Sequence, residues 1–158
     1  MNDIEAKKKN EIHLTELELL APAKNLECGI AAIDHGADAV YIGAPRFGAR
    51  AAAANSLEDI KKLCDYAHQV HVTVNTIIYE NEMEDTLKMI GELDRIGVDA
   101  LLLQDMGVLW DVRANQLWHR ELHSSTQCDA RSADKVAWLS TLGFDRVVLA
   151  RELSLDEI

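Results

Sequence analysis

Three segments of the chain repeat one pattern: a helix-like stretch ends in glycine, an aspartate follows two residues later, and a short apolar run comes next. The glycine-aspartate pairs are Gly36 and Asp38, Gly97 and Asp99, and Gly143 and Asp145. Glycine stops a helix by taking a left-handed backbone just past its C-terminus, and a short apolar run beyond it fits a strand buried on both faces. A recurring helix-stop-strand unit describes a parallel sheet wrapped by helices. Ligands of such sheets bind at the carboxyl ends of the strands.

Residues 1–16 are polar and unpatterned and read as a flexible N-terminal arm; the ordered domain is expected over 17–158. Strands are expected at 17–20, ended by Ala21-Pro22, then at 39–42, 70–74, 100–103, around 122–125, and at 146–149. Between them, residues 26–35 form a first helix, and Ser56 opens a capping box for a second that buries Leu57, Ile60, Leu63 and Ala67. The run Asn81-Glu82-Met83-Glu84 is expected to cap a third helix with Met83, Leu87, Ile90 and Leu93 on one face. Asp105 caps a fourth through Val108, Leu109 and Val112, and a fifth carries Val136, Leu139 and Leu142. Ser154 to Glu157 spells another capping box. Six β/α units leave two architectures, an open doubly wound sheet or an incomplete (β/α)8 barrel. Even spacing without a phosphate-binding glycine turn after the first strand favours the barrel. A full barrel takes about 250 residues, so these 158 would supply roughly two-thirds of one.

With 48% hydrophobic residues the chain has material for one real core. No apolar run approaches the roughly 20 residues of a membrane helix and the N-terminus lacks a signal-peptide stretch, so the expectation is a cytoplasmic protein without membrane contact. Cys28, Cys64 and Cys128 are widely spaced and form no C-x-x-C, which argues against a disulfide framework and against a self-contained metal site. Cys28 and Cys64 are expected as small core residues on helices, and Trp110, Trp118 and Trp138 as packing residues on helices. The formal charge of −11 disfavours nucleic acid taken alone. Net charge averages over solvated outer helices, however, and leaves room for a local basic rim.

The predicted strand ends gather Tyr41, Asn75, Gln104, Asp105, Ser125, Thr126, Gln127, Arg151 and Glu152. Arg46 and Arg50 lie on the loop after the second strand. Polar side chains converging at one barrel mouth suit a polar ligand held by many hydrogen bonds. Singly, Asp105 reads as a helix cap, and Arg151 and Glu152 as partners of each other or of a neighbouring strand end. The glycine-bracketed loop 43–50 brings two arginines to where a phosphate or carboxylate could sit, or packs Phe47 across the mouth; it is not a P-loop, because no Lys-Ser or Lys-Thr follows its second glycine. His68 and His71 straddle a helix end and a strand start and are not expected to act as a ligand pair. The candidates for catalysis are Ser125, Cys128 and Glu152, with no basic partner for either nucleophile legible in the sequence.

Taken in order, Glu18-Leu19-Leu20-Ala21-Pro22-Ala23, the segment 35–43, Phe47-Gly48-Ala49-Arg50, Val74-Asn75-Thr76, Gly97-Val98-Asp99-Ala100-Leu101, Gln104-Asp105-Met106-Gly107-Val108, the segment 123–128 and Val148-Leu149-Ala150-Arg151-Glu152-Leu153 form a series that resembles the N-terminal part of the peptidase U32, or collagenase-like, family. The resemblance covers residues 17–158. Within the family, the runs 104–108 and 47–50 and the Cys128 that follows Ser-Thr-Gln look most like the branch that makes 5-hydroxycytidine in 23S ribosomal RNA. The resemblance implies a barrel-based enzyme of oxygen-independent hydroxylation acting on RNA bases or quinone precursors, with an iron–sulfur cluster on cysteines beyond residue 158. Cys28, Cys64 and Cys128 match none of those, so no cluster is expected on this chain.

Two further readings stay open, a collagenase-like peptidase using Ser125 or Cys128 and a non-catalytic binding barrel. The chain alone is expected to be a piece of a longer protein, inactive by itself. It is also expected to self-associate, most simply as a dimer that covers what the remaining barrel strands would bury.

Overall fold

A computed structural model describes residues 17–47 and 55–158. The expected N-terminal arm and Arg50 lie outside the described residues. Six strands, β1 (Leu20–Ala23), β2 (Ala39–Gly43), β3 (Val70–Val74), β4 (Ala100–Leu103), β5 (Glu121–Ser124) and β6 (Arg146–Val147), pair in parallel in the order of the chain. They alternate with α1 (Leu26–Asp34), α2 (Leu57–Tyr66), α3 (Glu80–Ile96), α4 (Met106–Ala114) and α5 (Ala133–Thr141). Sequential order without the reversal of a doubly wound sheet makes this an α/β half-barrel, an incomplete TIM-type barrel with β1 and β6 as its edges.

The core lies between sheet and helices. Val40, Ile42, Val70, Val72, Leu101 and Leu103 point outward under the helices and are fully buried against Ile60, Leu63, Ile90 and Leu93. Each such side chain contributes about 1.5–3 kcal/mol of burial. The other parity of each strand therefore faces the barrel interior.

The glycine-aspartate repeat proves to be a clamp. Gly36, Gly97 and Gly143 have φ of 96°, 95° and 98°, the left-handed turn that ends the helix. Each following aspartate then holds one residue of the preceding strand or its lead-in by two bonds. Its backbone N–H donates to the carbonyl of Leu19, Val70 or Leu122 at 3.0, 2.9 and 2.8 Å. Its carboxylate accepts that residue's own N–H, at 2.8 Å for Asp38, 2.8 Å for Asp99 and 2.9 Å for Asp145. The clamps fall before β2, β4 and β6, so the sheet is fastened in doublets.

Four sequence expectations are corrected. β1 begins at Leu20 and runs through Pro22 instead of ending before it. Leu19 gives its carbonyl to β2, and alternate residues bond the same neighbour, so the donor that Pro22 lacks falls on the open edge where none is needed. α3 is capped at Tyr79, not at Asn81, because the Glu82 carboxylate reaches back to the Tyr79 N–H at 3.0 Å. Cys28 is exposed: α1 turns Gly29 inward, where an added Cβ would lie 2.7 Å from Leu63 Cδ1, and Cys28 toward the barrel mouth. Cys64 is half-buried beside the core, with its thiol pushed up to about 11 by desolvation. Of the tryptophans only Trp118 packs, from the loop before β5. Trp110 and Trp138 are 74% and 46% exposed.

Candidate functional site

The carboxyl ends of the strands enclose a cavity of about 770 Å³. Its two sides differ in chemistry. Leu20 and Pro22 on β1 and Val148 after β6 make an apolar wall along the open edges, while Tyr41, Thr73, Asn75 and Ser125 from β2, β3 and the end of β5 make a polar one, with Asn55 above them. A smaller polar hollow of about 210 Å³ adjoins it, lined by Thr126, Gln127, Asp129, Arg131, Ala150, Arg151 and Glu152. Thr126, Gln127 and Arg151 belong to both.

The polar wall is pre-organised. Ser125 is 1% exposed, and its Oγ accepts from Asn75 Nδ2 at 3.2 Å and from the Gln127 N–H at 3.2 Å. The short 3-10 turn Thr126–Cys128 that follows sets Thr126 and Gln127 at the mouth. Asn55 donates to the Gly43 carbonyl at 3.1 Å, fixing its amide beside the end of β2.

The structure thus brings together Tyr41, Asn75, Ser125, Thr126, Gln127 and Arg151, with Glu152 in the adjoining hollow. Four other candidates stand apart. Gln104 lines neither space. Asp105 works as a tie: Oδ1 caps α4 through the N–H groups of Gly107 at 2.8 Å and Val108 at 3.1 Å, and Oδ2 accepts from Ile78 N–H at 3.2 Å. Arg46 pairs with Asp85 at 3.3 Å on the exposed outside and lies 4.8 Å over the Phe47 ring. Cys128 is buried, its Sγ–H turned to the Leu103 carbonyl at 3.5 Å, and desolvation pushes its pKa up, away from thiolate. The bonds of Ser125 and Cys128 among the described residues involve no His, Lys, Asp or Glu side chain.

Sequence reasoning missed Lys24, Cys28, Asn55 and Thr73, all of which line the cavity. Thr73 shares the parity of Asn75 on a strand whose valines face the helices, a signal present in the sequence. One layer lower on the same interior face, His71 and His123 are each 1% exposed, with ring centroids 5.0 Å apart and edge to face. Burial pushes both histidines below their ordinary value. Neutral His123 donates Nε2–H to Glu121 at 2.7 Å, whereas His71 Nδ1 has no hydrogen-bond partner. Arg146 closes this lower end by a two-pronged bond to Glu18, at 2.9 and 3.4 Å. No three His, Cys, Asp or Glu side chains gather as metal ligands among the described residues, so these do not fit an iron–sulfur cluster.

Comparison with known proteins decides the family. The family model described as Peptidase family U32 matches residues 24–158. The chain belongs to peptidase family U32. A 23S rRNA 5-hydroxycytidine synthase from Escherichia coli is 50% identical over 146 residues, which are 90% of this chain and 22% of that protein. A tRNA hydroxylation protein from Bacillus subtilis is 37% identical, covering 89% of this chain and 34% of its own length. A collagenase from Porphyromonas gingivalis is 31% identical, covering 93% and 36%. The chain therefore spans between 22% and 36% of the length of these relatives. A solved U32 peptidase superposes with a TM-score of 0.64 at 10% identity, over 85% of this chain and 59% of that one, so the U32 fold is shared.

Proposed function

We propose that this chain is the base-binding part of an enzyme that forms 5-hydroxycytidine in 23S ribosomal RNA, acting in the cytoplasm. The observation that carries this reading is the 50% identity to the E. coli synthase over 90% of the chain. The cavity supports it. Amides and hydroxyls held by internal hydrogen bonds suit the donors and acceptors of a base edge, and Tyr41 gives a half-buried aromatic surface beside them. An extruded base needs such a pocket, because its reacting atom is inaccessible in a stacked helix. The residues of this chain bind and orient the base; redox chemistry would come from an iron–sulfur cluster on cysteines outside it.

A peptidase would need a base within hydrogen-bond reach of its nucleophile, and among the described residues the bonds of Ser125 and Cys128 provide none. The open edges of β1 and β6 also favour self-association as a dimer, which sedimentation across micromolar concentrations tests.

Nucleoside mass spectrometry of 23S rRNA tests the function. Disrupting the gene should remove 5-hydroxycytidine and the wild-type gene should restore it. An unchanged nucleoside profile rejects the reading. Cleavage of gelatin by the purified protein, abolished by Ser125→Ala or Cys128→Ala, would establish the peptidase instead.

A further inference from the structure

Most of the positive charge among the described residues is engaged internally. Of the twelve lysines and arginines among the described residues, seven sit in ion pairs. Arg113 donates to the Gly143 carbonyl and Lys135 lies over the Trp138 ring. Lys24, Arg95 and Arg151 have no such partner, and two of these three line the same cavity.

Their placement follows from the topology. Lys24 comes directly after the last residue of β1, and Arg151 follows β6, so the two stand at the carboxyl ends of the two edge strands. Between them runs the apolar wall of Leu20, Pro22 and Val148. α1 starts two residues after Lys24 and adds the positive end of its dipole to the same rim. Of the acids lining the adjoining hollow, Asp129 is already paired with Arg131, which leaves Glu152. The residues lining the two spaces thus carry three positive side chains, Lys24, Arg131 and Arg151, against two negative ones, Asp129 and Glu152, on a chain of formal charge −11.

We propose that Lys24 and Arg151 form a phosphate clamp, each holding a backbone phosphate on one side of the nucleotide whose base enters the cavity. This rests on the base-binding reading above and adds to it how the strand is held. The local geometry accounts for the overall acidity as well: a strand is repelled by the outer helices and attracted only at the mouth, so charge guides it to one place. Two point contacts flanking an apolar wall position the backbone without reading sequence, while the polar wall reads the base.

The test is the salt dependence of binding of a twelve-nucleotide single-stranded, cytidine-containing RNA to the purified protein, followed by fluorescence anisotropy. Each phosphate contact on a single strand contributes about 0.7 to the slope of log K against log salt. Lys24→Ala and Arg151→Ala should each weaken binding and lower the slope by about that amount, and Arg95→Ala should leave it unchanged. Free cytidine, which has no phosphate, should bind the wild-type protein and Arg95→Ala alike in an NMR titration. Unaltered slopes with cytidine still bound overturn the clamp and spare the base-binding reading. Loss of both RNA and cytidine binding by the wild-type protein overturns both. An equal loss in Arg95→Ala, or competition by polyglutamate of matched charge as effective as RNA, overturns the clamp by showing unspecific charge or an acidic-peptide site.

Discussion

The two ends of the sheet are built on opposite plans. At the amino end, one device is used three times: a left-handed glycine turns the chain, and an aspartate two residues on grips both backbone groups of one residue of the preceding strand or its lead-in. At the carboxyl end no described loop repeats another, and the side chains are spent on hydrogen bonds around a cavity. The contrast separates stability from chemistry. Repetition serves the end where only strand pairing matters, and divergence serves the end where a ligand is met. Asp105 crosses this division, for it is a structural tie at the chemical end.

The clamps can be broken one at a time, and burial should rank the results. Asp99→Ala strands the N–H of Val70, which is 0% exposed, and should cost about 2 kcal/mol in urea unfolding. Asp38→Ala frees the N–H of Leu19, which is 59% exposed, and water can replace the bond; a cost below about 1 kcal/mol is expected. Equal costs would mean that the clamp acts through something other than its buried donor. Gly97→Ala forces a side chain into a φ of 95° with open space around it, so strain alone should cost about 1 kcal/mol.

A smaller, pH-dependent effect should come from the interior between the two ends. His71 and His123 bind protons less readily folded than at their ordinary value of 6.5. The unfolded chain therefore takes up protons first, and stability should decline as pH falls below 6.5 toward the lowered folded values. Urea midpoints at mildly alkaline and mildly acidic pH should differ accordingly, and His71→Leu should shrink the difference. The smallest effect on stability belongs at the mouth. Gln127→Ala, at an exposed position lining both spaces, should stay within about 0.5 kcal/mol while weakening RNA binding. A large loss of stability there would erase the distinction between the two ends.

Much of the amino end could be read from the sequence because its signals are local. Gly97, Asp99 and the apolar run after them are contiguous, and β3 and β4 appear where alternation and apolarity place them. The clamp itself could not be read, since the partner of Asp99 is Val70, 29 residues away. The mouth was partly legible, because Asn75, Ser125 and Gln127 sit at strand ends. Lys24 and Asn55 were missed because they become neighbours of that site only when the sheet curves, and Pro22 misled because an edge strand has one side on which a missing donor costs nothing. Cys28 was misassigned because helix periodicity does not tell which of two adjacent small residues, Cys28 or Gly29, turns inward.

The bond between Glu18 and Arg146 joins residues 128 positions apart, across the two edges of the sheet. Every strand pairs with its neighbour in sequence, so the sheet can assemble doublet by doublet with short loops to close. The bond between Glu18 and Arg146 must wait until the curvature of all six strands is in place. An interaction that forms so late is expected to be absent from the folding transition state. It thus has little bearing on how fast the chain folds and acts chiefly on how slowly it comes apart, as a latch fastened after the vessel has been shaped.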